Sequence, residues 1–167
     1  MVVELITVAA AIFILILFSA FFSGSETALT AASRPRIHHL ARKGNKRAAL
    51  VNRLDEKKER LIGGILLGNN IVNILASALA TAAFVRLFPD AGVLYATVLM
   101  TSLILIFAEV MPKTYAISNP SRVALVVAPP INFVVGVLSP VVVAVQWIVR
   151  VTLRLFGVRV DRMARVL

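Results

Sequence analysis

Apolar residues along this chain come in long unbroken runs, separated by short stretches where charge, proline and glycine concentrate. Leu5 to Phe22 is the first run. A second extends from Leu61 to Leu87, a third from Val93 to Met111, and a fourth from Val123 to Val149. Each is long enough to cross a hydrocarbon layer as a helix, which takes about 20 residues. The pattern predicts an all-α integral membrane protein. Segment one is expected from about Glu4 to Ser33, broken at Ser23-Gly24-Ser25. Segment two runs to Leu87 and closes in a tight turn at Phe88–Gly92. Segment three returns from Val93, with Pro112 kinking rather than ending it, to about Asn119-Pro120. Between the first two, Arg34 to Arg60 reads as two short amphipathic helices. Pro35 suits a first helical turn, and Gly44-Asn45 suits a break. Their Leu40, Leu50, Val51 and Leu54 turn toward lipid or protein.

The fourth run is harder to place. Pro129-Pro130 and Pro140 are expected to break it into pieces. Ten of the 18 Lys/Arg lie between Arg34 and Arg60 and five between Arg150 and Arg165, while the Phe88-Pro89-Asp90 hairpin has only Arg86 nearby. Positive charge favours the cytoplasmic side, so both clusters are expected there. A full crossing after Val123 would put the last cluster outside. Three transmembrane helices are therefore predicted, with cytoplasmic-side amphipathic helices and a belt-like juxtamembrane segment anchored by Trp147; a fourth full span is the alternative. A basic tail, Val149 to Leu167, closes the chain. The N-terminus is expected outside and the C-terminus cytoplasmic, in a multi-pass protein of the plasma membrane.

Composition sharpens this. The 167 residues are 59% hydrophobic, with a mean hydropathy of +0.90; a soluble domain would be less apolar. One compact membrane domain, residues 1–167, fits the length. Cysteine is absent, which excludes disulfides, thiolate metal sites and thiol nucleophiles. The net charge of +10 raises nucleic-acid binding, but every basic cluster adjoins a spanning run and no nucleic acid is expected. The first run exceeds the 7–15 residues of a secretory h-region and has no basic stretch before it, so it reads as a retained span.

Three of the apolar runs carry polar clusters. Glu109 sits within the third, where a carboxylate costs roughly 2.5–3.5 kcal/mol to insert. Ser23-Gly24-Ser25-Glu26-Thr27 lies in the first and Asn69-Asn70-Ile71-Val72-Asn73 in the second. Counting helical rise from the inner ends, Ser25, Asn70 and Glu109 lie at a common depth of roughly 12–15 Å. Hydroxyl, amide and carboxylate oxygens together suit a hard cation such as Mg²⁺, Ca²⁺ or Mn²⁺. Asn73 shares a helix face with both Asn69 and Asn70 and is the favoured asparagine. Gly24 lets the chain unwind there and expose carbonyls. The competing role for each residue alone is hydrogen-bond packing between helices, and Glu109 has Lys113 four residues on as a possible ion-pair partner. Glu26 reads as a supporting group or a counter-ion to Lys113. His38-His39 reads as a solvated surface pair rather than a metal or pH sensor. No HExxH, GxSxG or phosphate loop is present, so no enzymatic activity is expected.

With FFSGSETALTA (Phe21 to Ala31), LLGNNIVNI (Leu66 to Ile74) and AEVMPKTYA (Ala108 to Ala116) in order, the chain resembles the transmembrane domain of the CNNM/CorC magnesium transporters. The resemblance implies a homodimer in the lipid bilayer that moves Mg²⁺, generally by Na⁺-coupled export, with Na⁺ as coupling ion. It implies three transmembrane helices and a belt helix. Ser23, Ser25, Asn70, Asn73 and Glu109 would hold the ion, and Gly24, Glu26, Asn69, Pro112 and Lys113 would support or gate it. Family members carry cytoplasmic CBS domains that bind ATP-Mg²⁺. Leu167 precedes any such domain, so no ATP site is expected in this chain. A membrane scaffold or sensor, or a transporter of another divalent cation, is the alternative.

Overall fold

A computed structural model describes residues 1–158, and all regular secondary structure among the described residues is helical. α1 spans Val2–Ala31, α2 Arg34–Arg42, α3 Lys46–Glu56 and α4 Lys58–Leu87. After the turn come α5 (Gly92–Leu103), a π-helical segment (Ile104–Val110) and α6 (Met111–Ser118), forming one continuous third run. α7 spans Pro120–Leu155. Four helical runs are long and apolar enough to cross a membrane: α1, α4, the α5–α6 run and α7.

Local chemistry accounts for the boundaries. Asn45 caps α3 by accepting from the Arg47 and Ala48 backbone N–H groups at 3.0 and 3.1 Å, satisfying two orphan donors. Gly44 takes φ 91°, ending the α2 turn in a conformation that disfavours a side chain. Pro120 opens α7, where its missing N–H costs nothing.

Three expectations are corrected. α1 is unbroken through Ser23-Gly24-Ser25: a single glycine lowers helix propensity by about 1 kcal/mol, too little to interrupt a helix packed on its neighbours. α7 likewise continues through Pro129, Pro130 and Pro140. In a helix this long the lost bonds are local, and adjustment of neighbouring groups re-satisfies them. Thirdly, the Gly64-x-x-x-Gly68 spacing of segment two, which lets another helix approach closely and on sequence lends weak support to a dimer, serves helices of the same chain. A Cβ on Gly64 would lie 3.1 Å from Val135 of α7, and one on Gly68 would lie 2.9 Å from the Phe22 ring of α1. Both glycines are used up by close packing within the chain, so this motif lends no support to dimerisation. The part of the predicted basic tail from 159 to 167 lies outside the described residues.

The core has two parts. The larger joins the C-terminal half of α1, α2, α3, the start of α4, α6 and the first turns of α7, with Ala28, Ile37, Ala48, Ile65, Ala116, Ala124 and Ile131 all but inaccessible. Leu54 and Val51 of the amphipathic pair are buried in it, and Leu40 and Leu50 pack at its edge. The smaller part joins Ala76 and Ala80 of α4 to Met100 of α5, with Ile12, Leu15 and Ile16 of α1 against them. Beside it an apolar cleft of about 1030 Å³ runs between the N-terminal half of α1, the C-terminal half of α4 and the third run, reaching down to Met111 and Pro112.

Candidate functional site

α1, α4 and the third run meet where the two core parts join, and each contributes polar groups there. Glu109 lies in the π segment. A π turn is wider than an α turn and occurs mostly as a short insertion at functional sites. Its cause here is visible in the sequence that follows. Pro112 has no N–H and would crowd the carbonyl four residues before it. The preceding turns widen, and the Met111 N–H reaches back to the Ile106 carbonyl. The helix resumes as α6, in line with the expected kink that does not terminate it. Gly24 of α1 faces this join: a Cβ on it would stand 3.5 Å from Pro112 Cβ, an ordinary contact. Gly24 therefore marks the α1–α6 crossing, and no carbonyl is exposed by unwinding of α1, which stays helical there.

Around the carboxylate the contacts are few and long. Ser23 Oγ donates to Glu109 Oε2 over 3.5 Å, and Asn69 Nδ2 donates to Oε1 over 3.3 Å. Both exceed the usual range for such bonds, so neither clamps the carboxylate. Lys113 Nζ is closer, 3.1 Å from Oε2. Behind this layer, the Asn69 amide oxygen accepts from Ser19 Oγ at 2.7 Å and from Asn73 Nδ2 at 3.5 Å. Ser19 and Ser23 are fully buried, Asn69 nearly so, and the Glu109 side chain is 28% exposed. No buried side-chain polar atom among the described residues lacks a partner.

The predicted residues thus divide. Ser23, Asn69, Asn73, Glu109 and Lys113 form one network. Asn70 is exposed and points away from it; one residue along a helix turns the side chain by about 100°, so Asn69 takes the inward position that the sequence reading assigned to Asn70. Ser25 is buried but donates to the Phe21 carbonyl at 2.6 Å, since two residues from Ser23 it lies on another face of α1. Glu26 is half-buried and forms no ion pair among the described residues; Lys113 goes to Glu109 instead. The sequence reading missed Ser19. Its signal was the i,i+4 spacing to Ser23, which places both hydroxyls on one face. His38 and His39 are exposed, with the His38 ring 3.2 Å from Asn52 Nδ2. No group of three or more His, Cys, Asp or Glu is gathered for a metal among the described residues. The residues contacting Glu109 from α1 and α4, Ser23 and Asn69, are neutral.

Comparison with known proteins covers nearly the whole chain. Residues 10–166 match the family model for the cyclin M (CNNM) transmembrane N-terminal domain. The UPF0053 inner membrane protein YfjD of Escherichia coli (strain K12) is 44% identical over 147 residues, covering 86% of this chain and 33% of that protein. A UPF0053 protein of Haemophilus influenzae is 36% identical over 154 residues, covering 92% and 37% respectively. A polyamine export protein of H. influenzae is 31% identical over 175 residues, covering 97% and 40%. The chain spans well under half the length of each of these relatives.

Proposed function

The chain belongs to the cyclin M transmembrane-domain family, and from that premise we propose that it is the membrane domain of a Mg²⁺ transporter whose ion passes through the pocket at Glu109. The observation that carries this reading is the convergence of Ser23, Asn69 and Glu109 from three separate helices. An intramembrane carboxylate is expensive and is kept where it serves an ion or proton path. Mg²⁺ keeps several waters and needs only one or two carboxylates, which suits a pocket with a single one. One negative charge among neutral oxygens holds a dication weakly enough for release.

In this reading the Asn69 amide turns by half a rotation to offer Oδ1 to the ion. Ser19 supports both orientations, because a hydroxyl can donate to Oδ1 or accept from Nδ2. Pro112 withholds an N–H at the end of the π segment, leaving a carbonyl there free to serve as a further ligand. Ser25 and Asn70, which stand outside the network in the conformation described, would join only after a rearrangement of α1 or α4. The pocket moves an ion and breaks no bond, so no enzymatic step is assigned.

The finer topology belongs to the same proposal. α1, α4 and the α5–α6 run cross the bilayer, with the N-terminus outside. α2 and α3 lie at the cytoplasmic face of the plasma membrane, and α7 lies along that leaflet as a belt. Its packing against α3 as well as α1 and α4 supports this placement, as does the positive-inside tendency of the basic segments. A homodimer, coupling to Na⁺, and CBS domains elsewhere in the full-length protein complete the reading.

Mg²⁺ flux into or out of liposomes carrying the chain, with and without Glu109→Ala, tests it. Flux lost in the variant supports the proposal; undiminished flux ends it. A second reading has its own support. The primary ammonium of Lys113 rests on Glu109 at 3.1 Å, so the carboxylate accepts an alkylammonium, and the apolar cleft that reaches Pro112 could take a methylene chain. A relative at 31% identity is a polyamine export protein. Suppression of Mg²⁺ flux by micromolar spermidine, together with spermidine uptake, would shift the substrate to a polyamine. A rise in melting temperature with Mg²⁺, or with spermidine, separates the corresponding reading from a scaffold that binds no ligand.

A further inference from the structure

We infer that Lys113 is a tethered counter-cation that occupies the transport site when it is empty and must leave before an ion can load. The inference rests on the proposed cation site at Glu109.

The geometry supplies the argument. Glu109 would be a bare charge between apolar helices without a positive partner. Its contacts to Ser23 and Asn69 are long and neutral, so Lys113 at 3.1 Å is its principal compensation. The ammonium lies on Oε2, the oxygen that also faces Ser23 of α1. It therefore shares with the Ser23 hydroxyl the carboxylate oxygen that an ion would bind. A Mg²⁺ on this carboxylate sits at about 2.0–2.1 Å from an oxygen, which would set it within roughly 4–5 Å of an ammonium held on the same oxygen. Like charges at that distance drive the ammonium out. Lys113 has the means to go: its side chain is 43% exposed, more than that of Glu109, and its four-carbon stem is flexible.

The exchange has a kinetic consequence. Lys113 competes with the arriving ion and assists the departing one by reclaiming the carboxylate. Removing its charge should therefore tighten binding and slow release. A lysine that merely braced the fold would act in the opposite direction, since its loss would loosen the pocket.

The experiment uses the chain in liposomes, with Mg²⁺ as the probe, reading half-saturating concentration and maximal rate separately. Lys113→Met should lower half-saturation about two- to fivefold, the range of one partly exposed ion pair, and lower maximal rate with it. Lys113→Arg keeps the charge and should hold half-saturation at or above the wild-type value. Half-saturation unchanged or raised in Lys113→Met, with Glu109→Gln abolishing saturable flux, overturns the inference and leaves the ion site standing. Saturable flux retained in Glu109→Gln instead ends the site reading itself. Lys113→Gln repeats the measurement should the Met variant misfold. Misfolding of both uncharged variants, with Lys113→Arg folded, overturns the inference by making the pair a structural brace.

Discussion

The two halves of this bundle are packed to different standards. The C-terminal half of α1 packs into a core with α2, α3, α6 and the start of α7, in which Ile37, Ile65 and Ile131 are inaccessible. Toward the α4–α5 turn the same helix has company on one side only. Ala76, Ala80 and Met100 form a small core there, and Phe13, Leu17 and Phe18 stand exposed along an apolar cleft or beside it. The polar network lies at the seam. The enclosed half fixes where Ser23 and Asn69 project, while the open half leaves an apolar cleft beside them.

The contrast can be broken first at its strongest point. Ile131→Ala in the enclosed half should cost about 2–4 kcal/mol of stability, because the cavity cannot collapse. Leu17→Ala beside the cleft should change stability by less than about 0.5 kcal/mol. Thermal unfolding of the detergent-solubilised chain compares them, and equal losses would abolish the distinction. Next comes the seam. Glu109→Ala should reduce Mg²⁺ flux at least about 30-fold, the worth of about 2 kcal/mol in charge-assisted contacts. Full flux in liposomes would detach the network from transport. Smaller still is the comparison of neighbours: Asn69→Leu should cost about five- to tenfold in flux, as expected for one or two hydrogen bonds. Asn70→Leu should leave flux within about twofold. Reversed effects would mean that α4 rotates in the working state. The smallest effect is expected at Ser25→Ala, which removes a bond to its own helix and should change melting by about 1 °C or less.

The helices themselves were legible because apolar runs in a bilayer have few alternatives: every backbone group must be satisfied internally, so a run of spanning length becomes a helix. The break at Gly44-Asn45, the turn after Leu87 and the continuation past Pro112 followed from φ preferences and lost donors. Breaks at Ser23-Gly24-Ser25 and at the prolines of α7 did not occur, because packing across a long helix outweighs a local penalty of a few kcal/mol.

Residue chemistry alone established that a carboxylate, hydroxyls and amides would share one stretch of the membrane, since their positions along three helices set their depth. Rotation about each helix axis was another matter. A phase error of one residue exchanges Asn69 for Asn70, and one of two exchanges Ser23 for Ser25. Only side-chain packing between helices, such as Phe22 in the notch of Gly68, settles that angle. The Glu109–Lys113 pair, by contrast, lies four residues apart on one run and was readable from spacing alone. Depth is a one-dimensional property read by counting residues; facing is a property of pairs of helices and exists only once they touch.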